Sequence, residues 1–152
     1  MKYSISYNQP QNHFIDFKDS INVEDKSEIK LQLPAWRPGR YELGNFAKNI
    51  KDFKIFNNQN ILIPFIKTAK DLWLIDTKNQ KEINFSYCYY AAELNAGSTY
   101  LSEEQLYINP VNCMFYLAEN SEMSFEIDFL LSKDYYLFTS LKKINQHTLI
   151  AG

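Results

Sequence analysis

Two imidazoles, His13 and His147, and two thiols, Cys88 and Cys113, are the sequence's whole stock of His and Cys side chains for soft-metal binding or nucleophile–base chemistry. A zinc site needs three or four ligands that converge. Here the histidines stand near opposite ends of the chain, neither has a second His or Cys at motif spacing, and the cysteines form no C-x-x-C. The sequence also lacks H-E-x-x-H, a Gly-rich phosphate loop and G-x-S-x-G. Each histidine therefore reads as a surface or strand-edge residue. The cysteines read as two buried free thiols rather than a disulfide. A Cys–His pair that meets in space has no supporting signature. No metal site, cofactor site or catalytic residue is expected within this chain.

Carboxylates offer more. Glu103 and Glu104 are adjacent, just after Tyr100-Leu101, and Glu93 follows a strand-like run ending at Tyr90. Adjacent acids in a loop are ordinarily solvated charge. The functional alternative is that one of them accepts a hydrogen bond from a cation such as a substrate amine. A second unusual stretch is Leu33-Pro34-Ala35-Trp36-Arg37-Pro38-Gly39-Arg40-Tyr41. Pro34 has no N–H and ends a strand's ladder. Pro38-Gly39 suits the two middle positions of a type II turn, with Gly39 supplying the positive φ. The two prolines predict a stiff loop in which Trp36 plugs one end of the domain. Contact between Trp36 and a ligand is the alternative.

The elements that must position these residues are strands. Tyr3, Ile5 and Tyr7 alternate with small or polar residues, as do Ile29, Leu31 and Leu33, then Ile83, Phe85, Tyr87 and Tyr89, then Met123, Phe125, Ile127 and Phe129. Period-two alternation places the large side chains on one face of a strand. Shorter candidates lie at 14–17, 53–56, 61–66, 72–75, 114–117, 135–139 and 148–150, many of them separated by Asn-rich turns. The pattern predicts an all-β domain, an antiparallel β-sandwich or a pair of curved sheets, with at most one short helix. Leu43, Phe46, Ala47 and Ile50 mark that helix or helical turn, although Gly44 interrupts it.

Composition agrees. The 152 residues suffice for one domain with a real core, and 45% of them are hydrophobic and 16% aromatic. The net charge is −2, from 16 basic and 18 acidic residues dispersed along the chain, which argues against nucleic-acid binding. No apolar run approaches a membrane span of about 20 residues. Met1-Lys2-Tyr3 leads straight into strand-like sequence without a signal peptide, so a cytoplasmic location is expected.

The stretch from Leu33 through Tyr41, continued by Asn45-Phe46-Ala47-Lys48-Asn49-Ile50, resembles the start of the glycyl aminopeptidase family of zinc metallopeptidases. Lys67-Thr68 and Trp73, then Tyr90-Ala91-Ala92-Glu93-Leu94, then Ser98-Thr99-Tyr100-Leu101 with Glu103, Glu104, Tyr107 and Asn109, resemble further elements of it in the same order. The matches span roughly residues 30–117. Arg37 and Arg40 stand where that pattern has small hydroxyl residues, Gln105 where it has histidine, and Pro110 where it has glycine. The resemblance implies a multidomain enzyme whose zinc ligands and catalytic glutamate lie beyond Gly152, with residues 1–152 as a non-catalytic N-terminal β domain. Its implied partners are the catalytic domain of the same polypeptide and a peptide substrate. Its implied role is to buttress that domain and wall off one end of the cleft. Glu104, or secondarily Glu103, would accept the substrate's α-ammonium, with Tyr100 and Asn109 holding the loop. Two alternatives belong to other classes: a carbohydrate-binding β-sandwich with exposed aromatics on a flat sheet face, and a stand-alone assembly domain with a large exposed apolar patch.

Overall fold

A computed structural model of the chain describes residues 1–24, 26–132 and 135–151. Among them, thirteen strands carry the fold. They are β1 (Lys2–Ser6), β2 (Phe14–Asn22), β3 (Glu28–Gln32), β4 (Ile50–Asn57), β5 (Phe65–Ala69), β6 (Leu72–Asp76) and β7 (Glu82–Tyr90) in the first part. The rest are β8 (Tyr100–Leu101), β9 (Leu106–Tyr107), β10 (Tyr116–Leu117), β11 (Phe125–Phe129), β12 (Lys142–Lys143) and β13 (Thr148–Ala151). One sheet has seven strands in the order β12-β13-β11-β1-β2-β7-β4, a second has four in the order β10-β3-β6-β5, and β8 with β9 forms a small hairpin. The domain is all-β, as the alternation predicts.

The alternation also names the core. Tyr3 and Ile5 of β1, Ile29 and Leu31 of β3, and Ile83, Phe85, Tyr87 and Tyr89 of β7 are all buried. They belong to one cluster that draws on both large sheets. Aromatic edges and faces fill its centre. Phe53 lies 5.3 Å from Trp73 and 5.4 Å from Phe115, while Phe17 and Tyr87 stack at 5.0 Å. Two phenols are tied down inside it. The Tyr3 hydroxyl donates to the Phe115 carbonyl at 3.0 Å and accepts from the Phe115 N–H at 2.8 Å, and the Tyr87 hydroxyl donates to the Cys113 carbonyl. These bonds satisfy a buried backbone segment that no strand covers.

The structure departs from the expectations in three places. β1 pairs antiparallel with β2 but parallel with β11, so the large sheet is mixed. Residues 135–139 form no strand. Tyr136 and Phe138 alternate toward solvent, 85% and 91% exposed, instead of toward the core. At 61–66, Ile61 and Leu62 are exposed and strand β5 starts only at Phe65. The helix or helical turn expected at 43–50 is present as a 3-10 turn over Phe46–Asn49, with Leu43 exposed. Among the described residues the single α-helix is α1 (Pro110–Cys113), opened by proline at its first position.

One charged residue sits on the wrong face for a strand core. β2 turns Ile15, Phe17, Asp19 and Ile21 inward, and Asp19 is 3% exposed. Its Oδ1 accepts from the Lys2 N–H at 3.1 Å, and its buried Oδ2 has no partner among the described residues.

Candidate functional site

The acidic pair falls at the tip of the β8–β9 hairpin. Tyr100 pairs with Tyr107 and Leu101 with Leu106, and a backbone bond from Ser102 N–H to the Gln105 carbonyl closes the turn at 2.9 Å. Ser102 shapes it further. Its hydroxyl accepts the N–H groups of Glu104 and Gln105, both at 3.3 Å. Such short side chains stabilise turns by mimicking a backbone acceptor. The carboxylates of Glu103 and Glu104 are left exposed, and neither joins an ion pair among the described residues.

The hairpin is anchored at its base. The Leu101 N–H donates to the Ala91 carbonyl at 2.8 Å, and the Ala91 N–H donates to the His13 carbonyl at 2.7 Å, which ties the hairpin to the end of the large sheet. Asn109 donates from Nδ2 to the Gly97 carbonyl at 3.2 Å, and its N–H donates to the Thr99 hydroxyl at 3.1 Å. The expected holding partner Asn109 is thus in contact with the segment preceding β8. Tyr100 contributes as a strand residue, its ring 6.3 Å from that of His13. Two residues to which the sequence reading gave no role also anchor the hairpin. They are Thr99, which is buried, and Asn112, which donates to the same Gly97 carbonyl at 2.6 Å. Thr99 lies within the Ser98-Thr99-Tyr100-Leu101 element of the resemblance without a role of its own, and no sequence signal marks Asn112.

Beside the hairpin tip opens a cavity of about 960 Å3, bordered by Glu103 and Glu104 on one side and by Met114, Ile127, Phe129 and Leu137 on another. The tip therefore sets two carboxylates at the mouth of an apolar space, where a charge-assisted bond is less screened than in open water.

The Pro34–Tyr41 stretch is a turn but not a plug. Gly39 has φ +84°, in the turn formed with Pro38, as the proline–glycine pair predicts. Trp36 is 50% exposed and Tyr41 fully so, which corrects the expectation that Trp36 closes one end of the sandwich. The indole N–H donates across the turn to the Arg40 carbonyl at 2.6 Å, so the ring braces its own loop. Arg37 reaches back to the segment before β8. A Cβ at Gly97 would overlap its guanidinium.

The side chains suited to redox, metal or nucleophilic chemistry are dispersed. Cys88 and Cys113 are free thiols, half-buried and buried. Burial, reinforced by the Asp16 carboxylate 3.0 Å away, pushes the Cys88 thiol up to about 12, and burial alone does the same for Cys113. Both stay protonated and unreactive at neutral pH. The His13 Nδ1 lies 2.6 Å from the Leu101 carbonyl, while His147 lines the large cavity. Among the described residues no three His, Cys, Asp or Glu side chains gather as metal ligands, so the residues present do not fit a zinc ion. The most exposed aromatics, Trp36, Tyr41, Tyr136 and Phe138, sit in loops, while Phe65, Tyr90 and Tyr107 are partly exposed on three different strands, β5, β7 and β9. No helix among the described residues is long and apolar enough to cross a membrane.

No curated protein matches the sequence. Among solved structures, the fold is similar to that of an aminopeptidase N family protein from Idiomarina loihiensis, with a TM-score of 0.86 at 21% sequence identity. The match covers 99% of this chain but 26% of that one, so the chain spans about a quarter of that protein's length. The sequence model of the peptidase M61 N-terminal domain matches residues 2–151, and the chain therefore belongs to the family of peptidase M61 N-terminal domains.

Proposed function

We propose that this chain is the non-catalytic N-terminal domain of a zinc-dependent aminopeptidase. In this reading it buttresses a catalytic domain of the same polypeptide, and its β8–β9 hairpin borders the substrate cleft near the peptide's N-terminus. The zinc ligands and the catalytic glutamate belong to that other domain. The observation that carries the reading is the hairpin tip. Two carboxylates, without an ion-pair partner among the described residues, are held at the mouth of an apolar cavity by a turn anchored through Thr99 and Asn109. An aminopeptidase has to recognise a free α-ammonium, and an anchored carboxylate at a partly dry boundary is a suitable acceptor.

A charge-assisted hydrogen bond of about 1.5–3 kcal/mol corresponds to a roughly 10–150-fold change in kcat/KM. The test is Glu104→Ala, with Glu103→Ala and the double variant, in the longer polypeptide assayed on peptides with free and with blocked N-termini. The expected loss is selective for the free N-terminus. Kinetics unchanged in all three variants would remove the carboxylates from the substrate site.

A further inference from the structure

A second cleft, of about 300 Å3, has Ser98 and Thr99 in its wall. That volume is at the lower end for small-molecule sites. Four separate stretches of chain build it: the 3-10 turn with Lys48 and Asn49, the end of β7 and the loop after it with Tyr89 and Glu93, the pair Ser98 and Thr99, and helix α1 with Asn112. Its lining is mostly polar, in contrast to the apolar cavity beneath the hairpin tip.

The floor of this cleft has one unmet acceptor and one unmet donor among the described residues. Asn112 is 2% exposed; its Nδ2 is used on the Gly97 carbonyl, and its Oδ1 has no partner. A buried amide oxygen without a hydrogen bond is rare in folded proteins and calls for an occupant. Tyr89 is also 2% exposed. Its hydroxyl accepts from the Asn49 Nδ2 at 3.0 Å, and among the described residues its proton is given to no acceptor. Burial pushes this phenol up to about 12, so it remains a donor at neutral pH.

The rim carries one charge of each sign. Lys48 and Glu93 both line the cleft and both are exposed, yet among the described residues neither forms an ion pair, with the other or with anything else. A cation and an anion at one cleft, kept apart, over a floor with a vacant acceptor and a vacant donor, match a ligand bearing both charges. We infer that this cleft binds a small zwitterion of the free α-amino acid or dipeptide class. The ligand's ammonium faces Glu93 and the Asn112 Oδ1; its carboxylate faces Lys48 and the Tyr89 hydroxyl.

Other ligand classes fit less well. A phosphate-like dianion would oppose Glu93 and leave the Asn112 oxygen unpaired. A simple amine would leave Lys48 and the Tyr89 proton without an acceptor. An apolar ligand would cover both unmet groups, each at the expense of a buried polar group's desolvation. Binding in this cleft is independent of the role proposed for Glu103 and Glu104, and its test reads binding, not hydrolysis.

The experiment is an NMR titration of the 152-residue chain with L-alanine, L-alanyl-L-alanine, L-alaninamide and acetate. Saturable shifts are expected for one or both zwitterions, centred on Tyr89, Glu93 and the Asn112 side-chain amide, with a Kd of about 1 mM. L-Alaninamide and acetate, each with one charge, should bind at least about tenfold more weakly. Glu93→Gln and Lys48→Gln replace exposed side chains, and a dispersed spectrum verifies that each variant is folded. Each should lower zwitterion affinity by about tenfold or more. Absence of saturable shifts with either zwitterion up to about 50 mM would overturn the proposal. So would equal binding of L-alaninamide with no effect of Lys48→Gln, which would make the cleft a simple cation site.

Discussion

Replacing Asp19 by asparagine should remove a destabilisation of this domain that grows as the pH rises. Asp19 points into the sandwich with one oxygen bound to the Lys2 N–H and the other buried without a partner among the described residues. Burial raises its carboxyl from 3.8 to about 7, against the opposing pull of the chain's N-terminal ammonium and of the Lys2 and Ser20 N–H groups. A folded-state value above the unfolded one means that the folded state binds more protons between the two. Stability contributed by Asp19 is therefore full below about pH 4 and is lost as the pH rises through 7. About three units at 1.36 kcal/mol each set an upper bound of roughly 4 kcal/mol on that loss. Asparagine keeps the acceptor for Lys2 and removes the ionisation, but it buries an amide N–H2 that lacks an acceptor, which costs about 1–3 kcal/mol. The net expectation is a variant less stable than wild type by about 1–3 kcal/mol near pH 4 and more stable by about 1–3 kcal/mol at pH 8, or roughly 2–10 °C in Tm at either end. Urea unfolding from pH 4 to 8, followed by fluorescence of Trp73, which is 2% exposed, measures both proteins on one probe. The difference between the two curves isolates Asp19 from the other carboxylates. A difference that stays flat across that range would refute the reasoning.

Other substitutions test other parts of the fold. Tyr3→Phe strips both the donor and the acceptor from the Phe115 backbone and should cost about 2–4 kcal/mol in urea unfolding, whereas a loss below about 1 kcal/mol would mean that water replaces the phenol. Trp36→Ala should cost less than about 1 kcal/mol, because the indole is half exposed and braces only its own loop; a loss of about 3 kcal/mol or more, as for a core aromatic, would restore the plug. Gly39→Ala meets no neighbour, so the expected loss of about 1–2 kcal/mol is that of the positive φ alone, and an unchanged midpoint would show that the turn relaxes.

Alternation in the sequence carried most of the core because burial on one face of a strand imposes it directly. Tyr3, Ile5, Ile29, Leu31 and the β7 quartet were all legible for that reason. The same logic failed where alternation lacked a sheet to lie on. Tyr136 and Phe138 have the pattern, but among the described residues no strand pairs with that segment, and the rings face solvent. Asp19 failed in the opposite sense. A carboxylate in an inward position reads as the end of the apolar run, which stops the expected strand at Phe17 although β2 continues to Asn22. The parallel pairing of β1 with β11 joins residues more than a hundred positions apart, and no local signal encodes such a register. For the hairpin, the acidic pair and the anchoring Asn109 were visible as residues, and the geometry then placed them at a tip and at a base. The polar cleft was not visible at all, since Lys48, Tyr89, Glu93 and Asn112 mean nothing together until the 3-10 turn, strand β7 and helix α1 meet.

The position of β1 has a consequence for how the domain is made. β1 and β2 can pair once the chain is complete through Asn22, but the other edge of β1 receives β11, which ends at Phe129. At a synthesis rate of about 5–20 residues per second, that edge waits roughly 5–20 s on the ribosome. During the wait its N–H and C=O groups form an open template, the kind on which strands of other chains pair. Vectorial synthesis thus gives this fold its most exposed moment at the strand that ends up near the middle of its largest sheet.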